Sequence, residues 1–173
     1  MTFRETVSKL KSAGIENARS EALILFEYFL GIEPSRIPLI YDEDFISNQL
    51  FEAVEKRVTR FPLQYILGEW EFFGLKFKVN PNCLCPRADT EILVERAISI
   101  LPNNAKFIEL CTGSGCISVS ILKNRLDLRG IATDKFEKTL QMARINAREN
   151  GVLPELELEV FRGFGETNWG LSR

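Results

Sequence analysis

Phe107-Ile108-Glu109-Leu110-Cys111-Thr112-Gly113-Ser114-Gly115 is the stretch on which the fold turns. It opens with the apolar run of a short strand. Gly113 and Gly115 then let the backbone bend sharply into a helix predicted over residues 116–123. The alternation continues downstream. A strand is predicted over 130–134, then a helix with Leu140, Ala143 and Ala147 on one face and Gly151 at its end, then a strand over about 156–161. Strand-helix-strand-helix-strand is the opening of a parallel, doubly wound α/β sheet. Ligands of such sheets bind at the carboxyl ends of the strands, which is where the 111–115 turn falls.

Two readings of that turn compete when it is taken alone: a plain tight turn, and a cradle whose free N–H groups at the helix start hydrogen-bond a ligand. Asp134 shifts the balance. It ends the second predicted strand, 19 residues after Gly115, close to the spacing at which an acid meets a ribose diol. An ionised carboxylate accepts from both ribose hydroxyls. Alone, Asp134 reads more readily as a cap for the next helix, but together with the turn it favours a nucleotide-like ligand. A dinucleotide fingerprint would place a third glycine where Ser118 stands, which argues against NAD. Glu109 would repel a phosphate and attract a sulfonium or an amino group.

Upstream, the first 60 residues read as helices. Phe3, Val7 and Leu10 have helical spacing. Ala22, Leu25, Phe26, Phe29 and Leu30 form a stronger stripe ended by Gly31, and Leu50, Phe51, Val54 and Val58 form a third that Pro62 stops. From Tyr65 to Val79 the period changes to two. Residues 69–73 and 76–79 read as a hairpin across Gly74, with Leu75, Phe77 and Val79 on one face and Lys76 and Lys78 on the other. Asn80-Pro81-Asn82 is a turn. Asp89 is the expected N-cap of a helix that carries Ile92, Leu93, Ala97 and Ile98 and closes before Pro102. Residues 163–173 show neither period and read as a loop or tail.

The bulk properties bound the function. Net charge is −2, from 22 basic and 24 acidic residues interspersed along the chain, so no basic stripe offers direct nucleic-acid binding. No segment has the length and apolarity of a signal peptide or a membrane span, and the expectation is a cytoplasmic protein. The four cysteines fall as Cys83/Cys85 and Cys111/Cys116. Neither spacing is that of a zinc knuckle and the chain has no histidine, so no metal is expected and the cysteines read as small apolar fillers. The absence of histidine also removes Ser-His and Cys-His nucleophilic catalysis.

Four blocks in order and register make the reading specific: Pro62-Leu63-Gln64-Tyr65-Ile66-Leu67-Gly68, Glu71-Phe72-Phe73-Gly74, Cys85-Pro86-Arg87-Ala88-Asp89-Thr90-Glu91, and the 109–115 turn. Over roughly residues 4–162 the sequence resembles the HemK/PrmC family of protein-glutamine methyltransferases. The resemblance implies three parts: an N-terminal helical substrate-docking domain over 1–62, a β-hairpin connector over 63–86, and a partial Rossmann-like methyltransferase domain over 87–173. It implies S-adenosylmethionine as cofactor, with Glu109, Cys111, Thr112, Gly113, Ser114 and Gly115 around its methionine part and Asp134 on its ribose. It also implies a monomer acting in translation termination, with a peptide chain release factor as protein substrate, methylated on the glutamine amide of a Gly-Gly-Gln loop.

Two departures from the family pattern stand inside the turn: Glu109 where Asp is usual, and Cys111 where Gly is frequent. Arg87, Asp89 and Glu91 read equally as a helix start or as groups that shape the site. The family orients the substrate amide with Asn-Pro-Pro-Tyr after the fourth strand, and no such segment occurs in these 173 residues. No catalytic residue is therefore assigned, and catalysis is expected to be impaired. A non-catalytic fragment that binds release factor or cofactor is the alternative.

Overall fold

A computed structural model describes residues 1–161. The chain divides into two compact units, Met1–Leu67 and Gly68–Arg173.

The first unit is helical: α1 (Phe3–Ser12), α2 (Ala18–Leu30), α3 (Asn48–Val58) and the short α4 (Leu63–Leu67). Local chemistry fixes the helix ends. Thr2 caps α1 in a reciprocal box, its hydroxyl accepting from the Glu5 N–H at 3.1 Å while the Glu5 carboxylate accepts from the Thr2 N–H at 2.9 Å. Gly31 ends α2 in the left-handed region at φ 65°, and the Ser47 hydroxyl caps α3. Phe3, Leu10, Leu25, Phe26, Leu50 and Val54 are buried together, with Phe3 and Phe26 edge to face at 5.2 Å. Arg57 reaches from α3 to grip Glu21 of α2 with two bonds, of 2.5 and 3.0 Å. Phe51 lies half exposed rather than in the expected stripe, and the Lys9 ammonium lies over its ring. The third helix ends at Val58, before Pro62. Residues 65–67, which the period-two reading placed in extended chain, are helical in α4. A 3₁₀ turn over Pro34–Leu39, which buries Ile37, had no clear periodic signal.

The second unit opens with the hairpin β1 (Glu69–Phe72) and β2 (Leu75–Lys78), paired antiparallel. Phe73 and Gly74 form its two-residue loop, at φ 51° and 70°, the positive angles such a tight hairpin requires. The register sets Trp70 opposite Phe77 and Phe72 opposite Leu75 on one face, with Glu69 opposite Lys78 and Glu71 opposite Lys76 on the other. After a turn and a 3₁₀ segment come α5 (Glu91–Ile100), β3 (Lys106–Leu110), α6 (Cys116–Asn124), β4 (Arg129–Asp134), α7 (Glu137–Glu149) and β5 (Leu156–Val160).

The three later strands form a parallel sheet in the order β3-β4-β5, with α6 and α7 as crossovers. This is the α/β arrangement the alternation predicts. One core unites Phe72 and Phe77 of the hairpin, Val94 of α5, Val119 and Leu122 of α6, Ala147 of α7, and Ala132 and Leu156 of the sheet. The hairpin is thus built into the second unit, while Leu63–Leu67 lies in the first. On α5 the core side is Val94 with the expected Ala97 and Ile98, continued by the C-cap residue Leu101; the expected Ile92 and Leu93 are exposed. Asp89 does not cap this helix. It lies in the 3₁₀ turn Ala88–Thr90 that runs straight into α5.

Phe77 is fully buried where hairpin and helices meet. Phe77→Ala is expected to lower the unfolding free energy by about 3–5 kcal/mol, measured by denaturant titration with tryptophan fluorescence.

Candidate functional site

The glycine turn sits where β3 ends, and the parallel register brings β4 alongside it, Leu110 lying opposite Thr133. The Thr112 N–H continues the ladder by donating to the Thr133 carbonyl at 2.8 Å. One residue on, the Gly113 N–H donates to Oδ2 of Asp134 at 3.1 Å. The turn and the acid expected to act together are therefore bonded to each other at the carboxyl ends of adjacent strands. Oδ1 of Asp134 accepts from the Phe136 N–H at 3.2 Å. Phe136, not Asp134, is the N-cap residue of α7 and makes no side-chain cap bond, so the acid holds the turn with one oxygen and the chain entering the helix with the other. Four lone-pair directions on a carboxylate leave room for further donors beside these two.

Cys111, Gly113 and Gly115 all adopt positive φ, at 58°, 58° and 81°. The two glycines are needed for different reasons. A Cβ on Gly115 would lie 3.1 Å from the Ala143 Cβ and 3.3 Å from its Cα, so α6 packs closely enough on α7 that any side chain there requires Ala143 to shift. A Cβ on Gly113 would meet no atom within 4 Å, so this side of the turn is open to a ligand. Cys111 holds the left-handed conformation without glycine's freedom, a strain of roughly 1–2 kcal/mol, and its thiol is exposed. Cys83, Cys85 and Cys116 are buried, and burial pushes the Cys116 thiol up to about 11.

Glu109 faces the inside of the turn. Its Oε2 accepts from the Thr112 hydroxyl at 2.9 Å, from the Ser118 N–H at 3.1 Å and from the Ser118 hydroxyl. The acid thereby braces the start of α6, and Ser118, the position a dinucleotide site would give to glycine, is one of its donors. Burial raises the Glu109 carboxyl above its ordinary range and the nearby Asp134 charge adds to the rise, against the opposing effect of the Ser118 and Thr112 hydrogen bonds. Of the three residues upstream that could shape the site, Glu91 has a specific bond: its carboxylate accepts from the Phe73 N–H in the hairpin loop at 2.8 Å. Arg87 and Asp89 are exposed.

Spacing alone did not reveal two further features. Asn146 of α7 is fully buried, and its amide donates to the Ser114 carbonyl in the turn at 2.8 Å. Phe136, two residues beyond the acid, is exposed, with the Lys135 ammonium over its ring. Among the described residues no cluster of three or more His, Cys, Asp or Glu could hold a metal ion, and no helix is long and apolar enough to cross a membrane.

A parallel sheet with helical crossovers, a glycine turn after its first strand and an acid ending its second define the class: a Rossmann-like α/β fold. Residues 2–68 match the family model of the PrmC N-terminal domain. The chain is 40% identical over 160 residues to the release factor glutamine methyltransferase of Nitratidesulfovibrio vulgaris, covering 89% of this chain and 54% of that protein. It is 35% identical over 150 residues to the Aquifex aeolicus protein of the same name, covering 84% and 52%. The N-terminal part is thus similar to the PrmC N-terminal domain, and most of the chain is similar to release factor glutamine methyltransferases, in the direction its HemK/PrmC-like blocks imply. The chain spans about half the length of the curated relatives it matches. Among solved structures, the N-terminal domain of human METTL16 aligns with a TM-score of 0.44 at 18% identity, covering 70% of this chain and 47% of that one.

The two glycines separate strain from clash. Gly113→Ala is expected to destabilise by about 1 kcal/mol through its positive φ alone, and Gly115→Ala by about 2–4 kcal/mol because Ala143 must also move; urea unfolding of both variants checks the order. The Glu109 carboxyl also sets a pH dependence. The folded chain holds that proton more tightly than the unfolded chain, whose value is near 4.5. This contribution to stability is present in full at low pH and is lost as pH rises from there through the raised folded value. Glu109→Gln is expected to lack that decline, so the wild-type-minus-variant difference in unfolding free energy should change across this window and be flat below it.

Proposed function

We propose that the second unit binds S-adenosylmethionine, with residues 111–115 around its methionine part and Asp134 on its ribose. The observation that carries this reading is the Gly113–Asp134 bond, which sets the glycine turn and an acceptor for a diol side by side at the strand ends. These strand ends suit such a group in three respects. The Gly113 side of the turn is unobstructed, Asp134 supplies negative charge at the strand end, and the Phe136 ring, which carries the Lys135 ammonium over it, is an exposed aromatic surface two residues beyond the acid. When bound, the cofactor supplies an electrophilic methyl group on a sulfonium. Glu109 and Asp134 bias the site toward that cation and against a diphosphate.

In the full reaction of the related enzymes, the substrate would be the glutamine amide of a release factor Gly-Gly-Gln loop, with the first unit helping to dock that protein. An amide nitrogen has a delocalised lone pair, so transfer requires groups that hold it in line with the methyl. These 173 residues contain no Asn-Pro-Pro-Tyr to do so. On their own they bind the cofactor and do not transfer its methyl at a useful rate. The second reading, a fragment that binds release factor or cofactor only, draws on the same absence.

Calorimetric titration of S-adenosylhomocysteine tests the site. Binding to the wild-type chain and a weakening of about thirtyfold or more in Asp134→Ala, from loss of a charged hydrogen-bond acceptor, are expected; equal affinity in both chains would remove Asp134 from the site. Incubation with labelled S-adenosylmethionine and a release factor should transfer no label above background, and steady turnover would overturn the assignment of this chain as binding without transfer.

A further inference from the structure

The geometry points to Asn146 as a positioning residue that couples the cofactor turn to the hairpin, so that a ligand on the turn stiffens β2. The inference rests on the proposed cofactor site only for the identity of that ligand.

The hairpin has two strands, so β2 has one edge that β1 does not pair. Strand edges left in that state are poorly held and open to other chains. Here side-chain amides of α7 take the place of a third strand. The Asn146 Oδ1 accepts from the Lys78 N–H at 2.7 Å, and Nδ2 donates to the Lys78 carbonyl at 3.0 Å. A carboxamide has the donor and acceptor of a peptide group, and both are used on one residue, as a neighbouring strand would use them. One turn later, Asn150 Nδ2 donates to the Lys76 carbonyl at 3.1 Å.

Asn146 differs from Asn150 in where its second N–H goes. That hydrogen donates to the Ser114 carbonyl inside the glycine turn, at 2.8 Å. A single planar amide therefore holds Ser114 and Lys78 at once. The residue is fully buried and sits in a helix interior, where asparagine is a poor helix former. Any movement of the turn that shifts the Ser114 carbonyl tilts the amide and disturbs both bonds to Lys78. Conversely, a turn fixed by ligand fixes the amide and with it the edge of β2.

Amide hydrogen exchange at Val79 reads this coupling, because the Val79 N–H is bonded across the hairpin to the Gly68 carbonyl at 3.0 Å and not to Asn146. Two perturbations are applied to the full chain. Gly113→Ala loosens the turn without a clash, and S-adenosylhomocysteine tightens it. With Asn146 present, the first is expected to speed Val79 exchange and the second to slow it, each by about tenfold. In Asn146→Ala neither perturbation should change Val79 exchange by more than about twofold. Asn146→Asp, which keeps the shape and loses both donors, provides the same comparison should the alanine chain fold poorly. Asn150→Ala removes an edge bond without touching the turn and should leave both responses intact, which a merely structural role for these asparagines would not predict. Responses of equal size with and without Asn146 would overturn the coupling. Should S-adenosylhomocysteine fail to bind while the Gly113→Ala response depends on Asn146, the coupling stands and the cofactor assignment falls.

Discussion

The bond from the Gly113 N–H to the Asp134 carboxylate is the constraint on which the site depends. It joins the ends of two adjacent parallel strands and fixes the turn's backbone at the point where a ligand would approach. The groups around it hold the turn in place. Glu109 braces the turn from below through Thr112 and Ser118, Ala143 packs against Gly115 from α7, and Asn146 holds the Ser114 carbonyl. The cradle is thus held by groups from two strands and two helices, through hydrogen bonds and close packing.

Burying a carboxylate such as Glu109 is unfavourable unless its charge is met by donors. Three donors converge on one of its oxygens and oppose the burial, yet the net effect still raises the group's proton affinity. Cys111 adds a second local strain, a side chain at positive φ in a turn that would suit glycine. Of the two departures from the usual family residues, Cys111 thus strains the turn while Glu109 braces it. Strain of this kind gathers at ligand-facing sites, where geometry matters more than local stability.

Much of this was legible in the sequence because it rests on short-range pattern. The alternation of strands and helices, the turn, the hairpin across Gly74 and the strand-end acid all follow from spacing within about 30 residues. What was missed depends on partners distant in sequence or on a surplus of candidates. Asn146 looks like an ordinary surface asparagine until β2, 68 residues earlier, lies beside it. On α5 the run Glu91-Ile92-Leu93-Val94 offers more apolar residues than one face can bury, and tertiary packing chose Val94 over Ile92 and Leu93. The helical turn at Leu63–Leu67 is too short to establish a period, and the apolar alternation just after it drew the boundary too early.

The most direct measurement is the map of backbone amide chemical-shift changes as S-adenosylhomocysteine is added to the isotope-labelled chain. The account predicts the largest changes at Gly113, Gly115 and the residues flanking Asp134, with smaller ones relayed to Lys78 and none centred in residues 1–67. Changes centred anywhere else, with the 111–115 turn silent under saturating ligand, would contradict it.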